Sequence, residues 1–82
     1  MPSTKKPIRR TLTRRRYAVF FLPDTEAGGY TAHIPALGIV TEGEDLAEAR
    51  EMARDAIEGR LAALQELRLP VPRDVKPEYV EV

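Results

Sequence analysis

The 82-residue chain contains no cysteine, and His33 is its single histidine. The absence of thiols excludes disulfides, thiolate metal sites and cysteine nucleophiles. One imidazole leaves little to hold a transition metal, so we expect no metal and no cofactor. A chain this short buries only about 60–65% of its unfolded surface, and small domains without such cross-links commonly self-associate. We therefore expect a homo-oligomer.

The chain also lacks any apolar run near the roughly 20 residues that a membrane-spanning helix needs. Its basic N-terminus is not followed by the apolar segment of a secretory signal. We therefore expect a cytoplasmic protein that makes no membrane contact.

A net charge of zero hides a strong asymmetry along the chain. Residues 1–16 hold seven lysines or arginines and no acid, whereas the other 66 residues hold six basic and thirteen acidic side chains. A basic tail of this kind favours nucleic acid or an acidic protein surface, including that of a neighbouring copy. We expect residues 1–13 to be a flexible basic arm and residues 14–82 to fold. The cations considered for nucleic-acid contact are Arg9, Arg10, Arg14, Arg15 and Arg16.

Short strands are predicted on both sides of a helix. Residues 17–22 are continuously apolar and too few for a helix, which predicts a strand buried on both faces. A turn follows, and residues 29–34 then alternate between an apolar and a wetter side. Two further short strands are predicted at residues 39–41 and 78–82.

A long helix is predicted over residues 46–68. Asp45 and Glu48 have the spacing of a capping box, and an apolar stripe follows at three- and four-residue intervals. Pro70 ends the pattern. Gly59 interrupts it, either as a tolerated imperfection or because another backbone approaches closely.

These elements predict a single α+β domain of order β-β-β-α-β, with an antiparallel sheet and one long helix packed on one face. The first strand is apolar on both faces, so one helix leaves one of its sides uncovered. We expect the oligomer interface on that side, at Tyr17, Val19 and Phe21.

Catalysis has few residues to use. His33 has no serine or acid at a spacing that suggests a triad, and the glycines match no phosphate-binding pattern. Acidic residues cluster in the turn after the first strand and just before the helix. Such clusters bind magnesium in some nucleases, but Asp45 is already predicted to serve as the helix cap. We expect a binding protein that is not an enzyme, with a metal-dependent nuclease as the alternative.

Three motifs follow in fixed order: GGYTA at residues 28–32, IPALG at 34–38 and TEGEDLAEA at 41–49. Ala56-Ile57 and Pro70-Val71-Pro72 continue the pattern. Over residues 17–82 the sequence resembles the HicB family of type II antitoxins. The resemblance implies the fold given above and a role in neutralising a HicA-like toxin, a small RNA-cleaving protein, by covering its catalytic face. It also implies a dimer or tetramer.

We expect the partner to contact the sheet beside these motifs. The candidate partner-binding residues are Thr31, His33, Pro35, Leu37, Glu42 and Glu44.

The sequence also departs from the family pattern. Ala36 stands where the family usually has an acid and Ile39 where many members have cysteine, and the sequence ends after the predicted fourth strand. We therefore expect no C-terminal DNA-binding module of the family's kind. Two alternatives follow: a regulator that binds nucleic acid through the basic arm, or a solitary HicB-like domain without a toxin.

Overall fold

The computed structural model describes residues 15–82, so the whole predicted basic arm, residues 1–13 with Arg9 and Arg10, lies outside the described residues, as does Arg14. Within the described part, the chain forms β1 (Phe20–Pro23), β2 (Tyr30–Ile34), β3 (Ile39–Gly43) and α1 (Leu46–Glu66) in that order. The α+β class and the strand-strand-strand-helix order are as the sequence predicts. Among residues 15–82, no helix is both long and apolar enough to cross a membrane.

β1 and β2 form an antiparallel hairpin in which Phe20 pairs with His33 and Pro23 with Tyr30. Asp24 organises the connecting turn, because its Oδ1 accepts hydrogen bonds of 3.0 Å from the backbone N–H groups of Glu26 and Ala27. This is the local bonding that makes aspartate a frequent turn residue. The turn chemistry predicted between these strands is confirmed.

β2 and β3 are also antiparallel, which gives a sheet of order β1-β2-β3 with β2 in the centre. A single 3-10 turn, Pro35–Leu37, joins them, and Gly38 reverses the chain with a φ of 63°. The turn points Leu37 into the core, where only 6% of its surface stays exposed. The side chain of Leu37, one of the residues expected to contact a partner, is therefore used for packing within the folded chain.

α1 begins as its capping box predicts. Asp45 has extended backbone angles, and its Oδ1 accepts a 2.8 Å hydrogen bond from the N–H of Glu48. The Glu48 carboxylate reaches back and accepts from the N–H of Glu44 at 2.5 Å, one residue before the cap. Two backbone donors at the helix start are thereby satisfied.

The first turn of α1 lies almost directly on the end of β3. A Cβ added to Gly43 would lie 2.3 Å from the backbone nitrogen of Ala49 and 2.7 Å from its Cα. On the other side, a Cβ on Gly29 would lie 2.4 Å from the carbonyl oxygen of Gly43. The backbones of Gly29, Gly43 and Ala49 can approach one another this closely only because neither glycine has a side chain.

The core lies between α1 and one face of the sheet. Its buried members come from β2 (Ala32, Ile34), from the 3-10 turn (Leu37) and from the helix (Ala49, Ala53). Arg60 adds a polar tie, because its Nη1 donates a 2.7 Å hydrogen bond to the carbonyl oxygen of Leu37. Small helix residues in the first two turns allow the helix to approach the sheet this closely.

α1 ends two residues earlier than predicted, and the cause is a backbone motif. Arg68 adopts a φ of 57°, and its N–H donates to the carbonyl of Gln65 while the N–H of Leu69 donates to that of Leu64. This is the Schellman pattern, usually built on glycine. The chain therefore turns back before Pro70 is reached.

The predicted fourth strand at residues 78–82 is not formed. After the helix, the Tyr17 hydroxyl donates to the carbonyl of Pro72 at 2.6 Å, and the N–H of Ala18 contacts the Asp74 carboxylate at 3.0 Å. These contacts hold residues 72–74 beside the segment that precedes β1. Residues 75–82 continue without regular structure or pairing to the described sheet, and an isolated extended segment has no ladder to stabilise it.

Tyr17, Val19 and Phe21 lie on the helix side of the sheet. These side chains are half-buried and pack against the core under the helix. One helix does leave one apolar side of the first strand uncovered, and that side carries Phe20 and Leu22. The oligomer interface expected at Tyr17, Val19 and Phe21 stays a prediction.

We predict that Gly43→Ala destabilises the protein by about 1–3 kcal/mol, because the added methyl group overlaps helix backbone that no rotamer change can move. Gly59→Ala is the matched control, since within the described chain nothing lies within 4 Å of its added Cβ. It should stabilise the helix by about 0.5–1 kcal/mol. Urea unfolding of the two variants measures both effects, and a neutral Gly43→Ala would contradict the close contact.

Candidate functional site

The sheet face opposite the helix, called here the outer face, presents six side chains in two rows. The register places His33 between Phe20 and Val40 in one row, and Thr31 between Leu22 and Glu42 in the next. Paired residues lie on the same side of a sheet with their Cβ atoms about 5 Å apart. The six side chains therefore form one continuous surface.

Three of these six side chains are large, apolar and exposed. Phe20 is 47% exposed, Leu22 52% and Val40 63%. They surround Thr31 and His33, which are half-buried at the centre of the face. Contiguous exposed apolar side chains among polar ones are typical of protein–protein interaction surfaces. The outer face is thus the candidate functional site.

The polar centre of the outer face is ordered by a contact between two of its members. Thr31 Oγ1 and His33 Nε2 are 3.2 Å apart. This distance is that of a hydrogen bond, which fixes the orientation of the imidazole on the face. His33 therefore presents a directed polar group between two apolar neighbours.

The sequence-predicted partner-binding residues separate into three groups. Thr31, His33 and Glu42 come together on the outer face. Pro35 is exposed at the start of the 3-10 turn, and Glu44 is exposed just past β3. Leu37 is buried, as described above.

Sequence reasoning missed the three apolar members of the outer face, Phe20, Leu22 and Val40. The alternation in the first strand separates its two sets of side chains. Nothing in that alternation indicates which set the helix covers.

A shallow depression of ≈ 530 Å³ lies between the hairpin turn and the start of α1. Glu42, Glu44 and Glu48 line it together with backbone of the two loops. Glu48 is engaged in the helix cap. Within the described range, no group of three or more His, Asp or Glu side chains is placed to hold a metal ion.

A second concave surface, called here the helix groove, lies between α1 and the segment that leads into β1. Its volume is ≈ 500 Å³. Its polar lining consists of three arginines, one acid and one amide: Arg15, Arg50, Arg54, Glu58 and Gln65. Arg16 is exposed nearby in the chain. The apolar residues that line it are Tyr17, Val19, Phe21, Ala53, Ile57 and Leu61.

Comparison with models of protein families, with curated proteins and with solved structures finds no match for this chain. Function is therefore inferred from two surfaces of the chain, the outer face and the helix groove.

The carboxyl group of Asp24, which shapes the turn beside the depression, should have a pKa below its ordinary value. The N–H groups of Ala27 and Glu26 stabilise its charged form and lower its pKa below the ordinary 3.8. Because the folded pKa is lowered, its contribution to stability is present above the unfolded pKa and is lost as pH falls through the folded one. NMR titration of the Asp24 carboxyl should give a midpoint below 3.8, and a midpoint at or above 3.8 would contradict this turn geometry.

Proposed function

We propose that this chain is a binding protein that neutralises a small RNA-cleaving toxin of the HicA type by covering the catalytic face of the toxin. The observation that carries the proposal is the outer face. It offers three exposed apolar side chains around an ordered polar pair. The proposed partner docks there.

The chemistry of the outer face suits a protein partner. Phe20, Leu22 and Val40 supply apolar area whose removal from water favours association. Thr31 and His33 supply hydrogen-bonding groups that set the orientation of the partner. Rigid strands hold these side chains, so little conformational entropy is lost when the partner binds.

The charge of the body supports a partner that handles RNA. A protein that cleaves RNA binds a polyanion and needs a cationic surface to do so. Residues 17–82 carry thirteen acidic and six basic side chains. Glu42 lies on the outer face itself, with Glu44 beyond the end of the same strand. An acidic protein is attracted to such a surface and competes there with RNA.

The family resemblance supplies the identity of the partner. The motifs at residues 28–38 and 41–49 build β2, the 3-10 turn, β3 and the start of α1. They therefore contribute two of the three strands of the sheet that carries the outer face. The proposed neutralisation takes place in the cytoplasm, where a toxin of this kind meets its RNA.

We predict that Leu22→Glu on the outer face weakens binding of the toxin and so impairs neutralisation. A charged side chain in the apolar centre of an interface costs about 2 kcal/mol or more, which weakens binding on the order of 30-fold. The test is co-expression with a HicA-type toxin encoded beside the gene, followed by growth measurement and co-purification. The unchanged chain should restore growth and co-purify with the toxin.

Met52→Glu is the matched control, because Met52 is an exposed apolar residue of similar size on the helix. This variant should still restore growth, and thermal unfolding should confirm that both variants are folded. If the unchanged chain neither rescues growth nor binds the toxin, the proposal fails for that toxin. If Leu22→Glu rescues as well as Met52→Glu, the outer face is not the contact surface.

A further inference from the structure

The last eight residues, 75–82 and called here the terminal segment, carry apolar side chains that the rest of the described chain does not cover. Tyr79 is 94% exposed and Val80 82% exposed. Val82 is exposed as well. The segment alternates in the manner of a strand, although it forms none within the chain. A run of exposed valine and tyrosine with strand character indicates a segment that pairs elsewhere.

The helix groove is the complementary feature. Apolar side chains form the middle of the helix groove, with Val19 and Phe21 on the β1 side and Ile57 on the helix, and charged side chains line it as well. It borders β1, which is an edge strand and has a neighbour on only one side in the described sheet. An edge strand beside an apolar groove readily accepts an added strand. The main-chain groups of the added strand form hydrogen bonds with the edge strand, and every second side chain packs into the groove.

Charge also favours binding of the terminal segment in the helix groove. The terminal segment holds Glu78 and Glu81, while the groove is lined by three arginines and one acid, Glu58, so its charged lining is basic on balance. Opposite charges at the margin of an apolar contact select the partner and its register.

The position of the terminal segment favours an exchange between two copies. Pro72 and Asp74 are held against Tyr17 and Ala18, so the segment leaves the body beside the entrance of its own groove. Its apolar side chains are exposed, and none of residues 75–82 lines the groove of the same chain. Eight extended residues reach about 26–29 Å, enough to cross to a neighbouring molecule.

We propose that the terminal segment of one copy fills the helix groove of a second copy and pairs with its β1, reciprocally, so that two chains form a strand-exchanged dimer. The exchange covers the apolar groove and the exposed terminal segment together. It also gives residues 78–82 the neighbouring strand that they lack in a single chain. The dimer does not depend on the proposed toxin partner, because the outer face lies on the other side of the sheet.

Sedimentation of the full chain at micromolar concentration tests the dimer. The expected mass is twice the 9.2 kDa of one chain. Val80→Asp/Val82→Asp should raise the dimer dissociation constant at least tenfold and leave the 9.2 kDa species. Lys76→Ser, also in the exposed terminal segment, is the control and should remain dimeric.

A charge exchange tests where the terminal segment binds. Glu78→Arg/Glu81→Arg changes the segment, and Arg50→Glu/Arg54→Glu changes the groove. Each variant alone should dimerise weakly, whereas a mixture should form a heterodimer, since it restores opposite charge at both contacts. Circular dichroism establishes that each variant is folded.

Three results would overturn the exchange. One is a 9.2 kDa species for the unchanged chain, which would mean that the terminal segment stays free or docks on its own groove. Another is an unaltered dimer in Val80→Asp/Val82→Asp. The third is a mixture of the charge variants that forms no more dimer than either variant alone.

Discussion

The contact on which this structure depends is the close approach of the α1 backbone to the end of β3. Gly43 has no side chain, so Ala49 of the first helical turn lies directly on it, and Gly29 lets the neighbouring hairpin end fit beside it. With the Asp45 cap, this contact fixes where the helix starts and which face of the sheet it covers. The other face is left bare, and the proposed function depends on that face.

The two sides of the sheet then have different roles. The outer face, around Leu22 and His33, offers rigid strands with apolar and polar groups in fixed order. The helix side holds the core, and its open end forms the helix groove. Since these surfaces lie on opposite sides, a dimer built through the groove leaves two outer faces free for partners.

Much of the fold could be predicted from local patterns. The three strands, the Asp24 turn and the capping box depend on neighbouring residues, so a single sequence predicts them. The first strand, predicted over residues 17–22 and buried on both faces, forms instead at Phe20–Pro23 with most of its side chains exposed. The end of the helix did not follow from pattern, because Arg68 takes a left-handed backbone conformation that usually requires glycine. Burial of Leu37 depends on a 3-10 turn that has no distinctive periodicity.

The candidate site was harder to predict. Alternation separates Phe20 and Leu22 from Val19 and Phe21, but the packing of the helix decides which pair is bare. A strand at residues 78–82 is likewise predicted by alternation, but alternation does not show whether a neighbouring strand pairs with it, and within the described chain none does.

The most direct test of the central claim is a methyl NMR map of the chain titrated with a HicA-type toxin. The account predicts that the methyl signals of Leu22 and Val40 shift or broaden, while that of Met52 on the helix stays unchanged. Perturbation at Met52 without any at Leu22 and Val40 would contradict the outer face as the binding surface.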